Sequence, residues 1–267
     1  MSPTEAVLRC VAHSPAPLVE AALWIAVDHQ PNLEVGRYVM QAQHLQAQLT
    51  ASLPALTSRE LAQPLLRQLL HLGFAAQSEP PVGSAQAMMH TLLEQRLGLP
   101  TQFAILALDM ATHLGIALQA VDFPGQLLFR QPDADHLLDP LTGRRLYPAD
   151  CRERLQQQLG KNTALQAEYF YPLTSSALLQ RLSRELRQLH CNLDEPDSAL
   201  KDADRVIALG EANCRDHLER AALYRRLECP QAERYDLQLA LLLTDAPAEQ
   251  LRITQRLEAL CRLPAVH

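Results

Sequence analysis

Aromatic side chains are scarce in this sequence of 267 residues. Phe, Trp and Tyr together make up 4% of the chain, although hydrophobic residues as a whole make up 48%. Leu, Ala and Gln abound instead, and because such residues lose little rotamer freedom in a helix, the composition favours helices. The apolar fraction is sufficient for packed cores and argues against disorder. The length allows two or three compact units.

Positive charge and paired cysteines are also lacking. The formal net charge is −6, which argues against a general attraction to nucleic acid or to anionic membranes. Because the sequence contains no Cys-x-x-Cys pair, it predicts neither a zinc knuckle nor a redox dithiol. Scattered single cysteines suit a reducing cytosol. The cysteines are Cys10, Cys151, Cys191, Cys214, Cys229 and Cys261.

Targeting and membrane-spanning patterns are missing as well. Residues 1–5 lack the basic start and apolar core of a signal peptide. Charged or strongly polar residues interrupt each long apolar run before it reaches the ~20 residues that a membrane span needs. We therefore expect a soluble cytoplasmic protein, with neither a membrane nor a nucleic acid as its partner.

Residues 1–75 are predicted to form a helical N-terminal region. Apolar residues recur at helical spacing over 18–25 and again over 35–49. Thr57–Glu60 fits a capping box at the start of a further helix. Pro64 removes an internal donor, so that helix is expected to kink there or to begin again after it.

Residues 76–172 are predicted to form a small α+β core. Ser84 is expected to cap a helix that Gly98 ends in a left-handed conformation. The next helix, Phe103–Leu114, is apolar almost all round, which predicts a central buried helix that ends at Gly115. Short runs separated by turn residues follow over 116–121, 126–130 and 136–139. They predict three or four antiparallel strands packed on that helix.

Residues 173–267 are predicted to form a helical domain with an internal repeat. Residues 197–200 recur loosely as 230–233, a period near 33. The pattern resembles tetratricopeptide repeats, helix pairs in which small residues allow close packing. Glu249–Leu260 would then be a closing helix that covers the exposed end of the last repeat.

Short motifs along most of the chain resemble a bacterial family with a helical N-terminus, a transglutaminase-like (papain-like) core and C-terminal tetratricopeptide repeats. Its members are often called SirB-like. Each motif is short, but they occur in the family's order and near its separations. The matching segments are Ala21–Ala26, Pro31–Val35, Leu69–Phe74, Leu93–Pro100, His113–Ile116, Phe123–Leu127 and Leu138–Gly143.

The resemblance implies a catalytic frame without its reactive groups. Active transglutaminase-like enzymes use a Cys at the start of the central helix, a His on one strand and an Asp on the next. These positions fall at or beside Pro100, at Gln126 and at Asp139. Proline has no nucleophile, and glutamine cannot exchange protons near neutral pH. Only the orienting carboxylate is kept. Asp139 has a second possible role, as the cap of the turn Pro140–Gly143.

Two other groups of residues contain side chains suited to nucleophilic catalysis or to metal binding. His136 and Cys151 could replace the missing pair, although a buried free thiol near a strand end is the simpler interpretation. A metal site is not predicted, because no HExxH or similar spacing supports one. The candidate ligands considered for it were His90, Asp109, His113, His136 and Asp139.

A basic stripe is the remaining candidate. Arg181, Arg184 and Arg187 recur every three residues on one helix. Together with arginines further along the chain they could line a groove for an acidic peptide. These further arginines are Arg205, Arg220, Arg225 and Arg226. The simpler interpretation is a solvated helix face balanced by nearby acids, namely Glu185, Asp194, Glu195 and Asp197.

The predicted fold class is mainly α with an α+β core: N-terminal helices, a transglutaminase-like core with a short antiparallel sheet, and repeat-like helical hairpins. The predicted function is non-catalytic binding of a protein or peptide, for which the resemblance implies a regulatory role, with no cofactor and no metal. The predicted binding residues are Thr101, Gln102, Gln126, Asp139, Arg181, Arg184 and Arg187. The alternative is a residual hydrolase or amide-transfer enzyme using Thr101 and Asp139, which would need a general base that Gln126 cannot supply. The oligomeric state is left open.

Overall fold

The computed structural model describes residues 1–77 and 83–261. The chain forms two compact units, Met1–Leu179 (unit 1) and Gln180–His267 (unit 2). Both predicted regions 1–75 and 76–172 lie in unit 1, where helices of the first region pack on helices of the second. The described elements confirm the predicted class, mainly helical with a small antiparallel sheet.

The N-terminal region forms four helices within the described residues: α1 (Pro3–Ala12), α2 (Leu18–His29), α3 (Val35–Ser52) and α4 (Ala62–His71). The predicted capping box at Thr57 is wrong. Thr57 and Glu60 close a turn instead, in which the Thr57 hydroxyl donates to the Glu60 carboxylate at 2.8 Å. Because α4 begins only at Ala62, Pro64 falls in its first turn, where a missing N–H costs little.

The segment before the central helix differs from its prediction. Ser84–Ala87 is a short 3-10 turn, and α5 (Met89–Gln95) begins only after it. The left-handed residue that ends α5 is Arg96, with φ 63°, and not Gly98. Gly98 belongs instead to β2 (Leu97–Gly98), which pairs in parallel with β1 (Ala75–Ala76).

The central helix is present as predicted. α6 (Pro100–His113) is buried at every residue from Thr101 to Ala111, and Gly115 follows with φ 66°. The strands after it are β3 (Gln119–Phe123), β4 (Gln126–Arg130), β5 (Leu137–Leu138) and β6 (Arg145–Leu146). They form one antiparallel sheet in chain order. α6 contacts β3 and β4, which confirms the predicted packing.

The two faces of this sheet are covered by different helices. Leu128 and Leu137 lie on one face and pack with Cys151 and Leu155 of α7 (Pro148–Leu159). Side chains alternate along a strand, so Leu127, Phe129 and Leu138, all buried, lie on the opposite face, toward α6. α7 was missed from the sequence because its buried residues are only two, Cys151 and Leu155.

Unit 2 contains the larger part of one helix, Ser175–Asn192, and four further described helices, which contact one another in sequence order. The helices from here to the end of the described chain are α8 (Ser175–Asn192), α9 (Pro196–Ala208), α10 (Cys214–Arg226), α11 (Pro230–Leu242) and α12 (Pro247–Cys261). Small residues such as Ala203 and Ala240 are buried where these helices meet. α12 covers α11 through Ile253 and Leu260, in agreement with the predicted closing helix.

Across the described residues, the helices lack the combination of length and apolar character that a bilayer span requires.

Candidate functional site

The start of α6 is closed by its own side chains. Leu99 N–H donates to Gln102 Oε1 at 2.8 Å, and Gln102 Nε2 donates to the carbonyl of Ala87. A Cβ on Gly98 would lie 2.6 Å from Gln102 Oε1 and 3.2 Å from Leu92 Cβ, so the glycine leaves room for the Gln102 side chain in its present position. Thr101 and Gln102 are 0% and 1% exposed. Gln102 therefore stabilises the start of α6, whose first helical residue is Pro100.

Gln126 and Asp139 are brought together by a third residue, Arg154 of α7. Arg154 Nη1 donates to Gln126 Oε1 at 2.7 Å, and Nη2 donates to Asp139 Oδ2 at 2.9 Å. We call these three residues the Arg154 cluster. The Asp139 side chain is 9% exposed and that of Arg154 is 31% exposed, so solvent reaches the cluster from the arginine side.

Asp139 also performs the turn-capping role that the sequence predicted for it. Its Oδ1 accepts from Leu141 N–H at 2.9 Å, while its carbonyl accepts from Gly143 N–H at 2.8 Å. Both carboxylate oxygens are therefore engaged, one by the turn and one by Arg154. The residue is held in place for a reason independent of any ligand.

The Arg154 cluster lies on the α7 side of the sheet. Gln126 is paired with Phe123, and paired residues share a face. Phe123 belongs to the core that includes Cys151 and Leu155 of α7. The cluster can donate and accept hydrogen bonds. Gln126 and Arg154 do not shuttle a proton near neutral pH, because an amide does not titrate and a guanidinium stays charged.

Arg154 is the residue that sequence analysis missed. The pattern that predicts a helix is weak in its segment, because Cys151 and Leu155, four residues apart, are surrounded by polar residues. That spacing would have predicted a helix with one apolar edge and Arg154 beside it. Which acidic group the arginine meets depends on how α7 packs on the sheet.

His136 and Cys151 line one cavity of about 310 Å³, also on the α7 side. We call it the His136 cavity. His136 Nδ1 lies 3.0 Å from Asp135 Oδ1, and its enclosed Nε2 has no partner within the described residues. The Cys151 thiol is 3.9 Å from the Leu146 carbonyl. Burial raises the pKa of this thiol, so the cavity does not hold an activated thiolate, as the simpler interpretation of Cys151 predicted.

Of the five candidate metal ligands, Asp109 and His113 lie together, while His136 and Asp139 lie in other surroundings. Asp109 accepts from Val19 N–H at 3.1 Å and pairs with His113 at 3.4 Å, the predicted i, i+4 contact. Burial raises the pKa of Asp109 and lowers that of His90. His136 lines its cavity, and Asp139 belongs to the Arg154 cluster.

The basic stripe on α8 is largely used inside unit 2. Arg184 forms a two-point pair with Asp216 at 2.8 and 2.7 Å, and Arg187 contacts Asp216 and Glu219. Burial is the largest single influence and raises the pKa of Asp216. Hydrogen bonds from Arg184 and from the Asn213 backbone, together with the charges of Arg184 and Arg187, outweigh it and leave that pKa below its ordinary value.

The predicted solvated face on α8 is therefore wrong at Arg187, whose side chain is 6% exposed. Its partners lie on α10, and the nearby acids expected to balance the stripe are not its partners. Two of the expected pairs are present in the described residues: Arg181 pairs with Glu185 at 3.3 Å, and Arg226 pairs with Asp194.

The class of the protein follows from comparison with known families. Residues 36–184 match the family model described as the transglutaminase-like superfamily. This range contains α6, the four-stranded sheet and the Arg154 cluster, and it confirms the transglutaminase-like part of the resemblance identified from the sequence motifs.

Curated relatives then give the particular family. The chain is 49% identical over 258 residues to the UPF0162 protein PA3419 of Pseudomonas aeruginosa, covering 96% of each. It is 30% identical to a UPF0162 protein of Xylella fastidiosa strain Temecula1, covering 76% of this chain and 75% of the relative. The chain belongs to the UPF0162 family and carries a transglutaminase-like domain.

Among solved structures, the chain is similar to menin, whose crystal structure reveals the binding site for Mixed Lineage Leukemia (MLL) protein. The match has 11% sequence identity and a TM-score of 0.39, and it covers 95% of this chain and 73% of menin. A likeness of this degree carries no functional information.

Proposed function

We propose that this protein is a non-catalytic binding protein of the SirB-like type, which holds a protein or peptide partner on its transglutaminase-like core and on tetratricopeptide-type helices. The observation that carries the proposal is the Arg154 cluster. At the positions where the resemblance places a proton shuttle and its orienting carboxylate, Arg154 joins Gln126 to Asp139. The result is a polar, partly exposed surface that forms hydrogen bonds without acid–base chemistry.

The helices of unit 2 support the repeat-like part of the proposal. Two ion pairs join α8 to α10, Arg184 with Asp216 and Arg187 with Glu219, and in each the partners are 32 residues apart. A constant separation is expected when equivalent helices of consecutive repeats stack in register. Repeat surfaces of this kind commonly bind peptides and proteins.

The proposed location is the cytoplasm. All six cysteines are free, and Cys229 and Cys261 are exposed. Free exposed thiols are kept in a reducing compartment.

The first experiment separates binding from catalysis. The purified chain is treated with a thiol-directed activity probe and assayed on a panel of amide and ester substrates, beside Thr101→Ala. We expect no turnover by either protein. Turnover that Thr101→Ala abolishes would favour the residual enzyme, in which Thr101 attacks and Asp139 assists.

The second experiment tests the binding surface itself. Proteins captured from the native host are identified by mass spectrometry and then purified, and their affinity for the chain is measured directly. We expect Arg154→Ala to weaken binding about tenfold, the effect of losing one charged hydrogen bond. The matched control is Arg152→Ala, an exposed arginine on the same helix. Equal affinities for both variants would contradict a role for the Arg154 cluster.

A further inference from the structure

The His136 cavity has the walls of a small-molecule site. Leu137 and Leu146 come from the sheet, Cys151 comes from α7, and Phe170 comes from the 3-10 turn Ala167–Phe170. Phe170 is held edge-on against Phe123, with ring centroids 6.3 Å apart. The volume of about 310 Å³ is at the lower end of the range for ligand pockets, and apolar walls with a few polar groups are typical of them.

His136 borders this cavity and has one ring nitrogen without a partner. A carboxylate only accepts hydrogen bonds, so Asp135 places the ring proton on Nδ1. In the neutral ring, Nε2 is then an acceptor. This atom is enclosed and has no partner among residues 1–77 and 83–261. Because burying a polar atom without a partner is unfavourable, a ligand hydroxyl that donates to Nε2 would relieve that cost.

Arg130 supplies a positive charge to the same cavity. It ends β4 opposite Leu137, the residue after His136, and its Nη1 donates to the Phe170 carbonyl at 3.2 Å. Within the described part of the chain, Arg130 forms no ion pair with a carboxylate. A guanidinium held by one backbone carbonyl keeps further donors for a planar anion.

We propose that the His136 cavity binds a small carboxylic acid that has a compact apolar body and a hydroxyl group. Its carboxylate pairs with Arg130, its hydroxyl donates to His136 Nε2, and its body packs against Leu137, Leu146 and Phe170. This site goes beyond the proposed partner binding. It uses none of the residues of the Arg154 cluster, so either proposal can fail without the other.

The test uses the full chain and three probes of one shape: 3-phenyllactate, 3-phenylpropionate without the hydroxyl, and 3-phenyllactamide without the charge. Affinities are measured by calorimetry, and backbone NMR shifts locate the site. We expect 3-phenyllactate to bind most tightly. Loss of the charge should weaken binding about tenfold or more, and loss of the hydroxyl about threefold to tenfold.

Variants assign each contact. Arg130→Gln should remove the preference for the acid over the amide, and His136→Phe should remove the preference for the hydroxyl, while Arg152→Gln should change neither. The comparison among the three probes uses the unmodified chain, so it remains valid even if a variant fails to fold. Absence of 3-phenyllactate binding at millimolar concentration, or shifts mapping outside the cavity, would overturn the proposal. Equal affinities for the three probes would do so as well.

Discussion

Helix α6 and the helices of unit 2 bury their residues in different ways. α6 is enclosed from Thr101 to Ala111, and most of those residues are apolar. Unit 2 encloses charges instead: Asp202, Arg205 and Asp236 are each 0% exposed. In α6, contact with any apolar neighbour of the right size is favourable. In unit 2, each buried charge requires a particular partner in a particular geometry.

Because of this difference, substitutions that remove a buried side chain destabilise the two regions by different mechanisms. Apolar burial stabilises in proportion to the area removed from water, so truncation loses contact and leaves a cavity. A buried ion pair is close to neutral as a whole, yet removing one partner leaves an uncompensated charge. Arg220 illustrates this dependence, since it joins Asp204 and Asp236 at 2.9 and 2.8 Å.

Phe103→Ala should have the largest effect. Phe103 is 0% exposed, so its loss should lower the free energy of unfolding of unit 1 by about 4 kcal/mol. Urea unfolding gives the total change, and hydrogen exchange locates it. Phe103→Leu is the matched control and should cost much less. A similar loss of unfolding free energy in both variants would show that the volume of the buried side chain does not determine the stability of this region.

Asp202→Ala should come next, with a loss of about 3 kcal/mol from unit 2. The Asp202 carboxylate accepts from His190 Nδ1 and from Arg205 Nη1, each at 2.6 Å. The exchange of amides in α8 and α9 measures the effect. Asp202→Asn, which keeps one acceptor oxygen, should be milder. If Asp202→Ala left exchange in these helices unchanged, the contrast between the two regions would fail.

Acid should weaken unit 2 through Asp216. Its pKa in the folded chain lies below the ordinary 3.8, so the folded state favours the carboxylate. This contribution to stability is complete above the ordinary value and is lost as pH falls through the lowered value. The free energy of unfolding of the wild type and of Asp216→Asn should be measured from neutral pH downward. The difference between the two proteins should shrink as the solution becomes acidic. A constant difference would exclude Asp216 as the titrating group.

Arg154→Met should have the smallest effect on stability, about 1 kcal/mol, because Arg154 is partly exposed and solvent weakens such pairs. The variant keeps most of the aliphatic length of the side chain, so the loss reports the two hydrogen bonds. Thermal unfolding measures it. A loss equal to that of Phe103→Ala would mean that the cluster is a structural core and not a surface for binding.

Local patterns were sufficient to predict part of this molecule. α6 and Gly115 were predicted because apolar residues all round a helix and a glycine at its end are properties of neighbouring residues. The strands of the sheet were predicted because turn residues separate short apolar runs. The family resemblance rests on local patterns of the same kind, including Ala21–Ala26 and Leu69–Phe74 in the N-terminal region.

Partner choice could not be predicted in this way. Arg181, Arg184 and Arg187 look equivalent in the sequence, yet their side chains are 25%, 32% and 6% exposed. Arg184 meets an acid 32 residues away, and that meeting depends on the register of α8 against α10. Arg154 was missed for the same reason, since its partners are defined by how α7 packs on the sheet.

The bridge between Arg154 and Asp139 determines the order in which substitutions could create a histidine–carboxylate pair at this site. A histidine introduced at position 126 would find the carboxylate already occupied by a permanent cation, which it could not displace by gaining a proton. Position 154 would have to change first, and that step alone would leave Asp139 facing an uncharged neighbour. A histidine at position 126 alone would therefore not give Asp139 an acid–base partner.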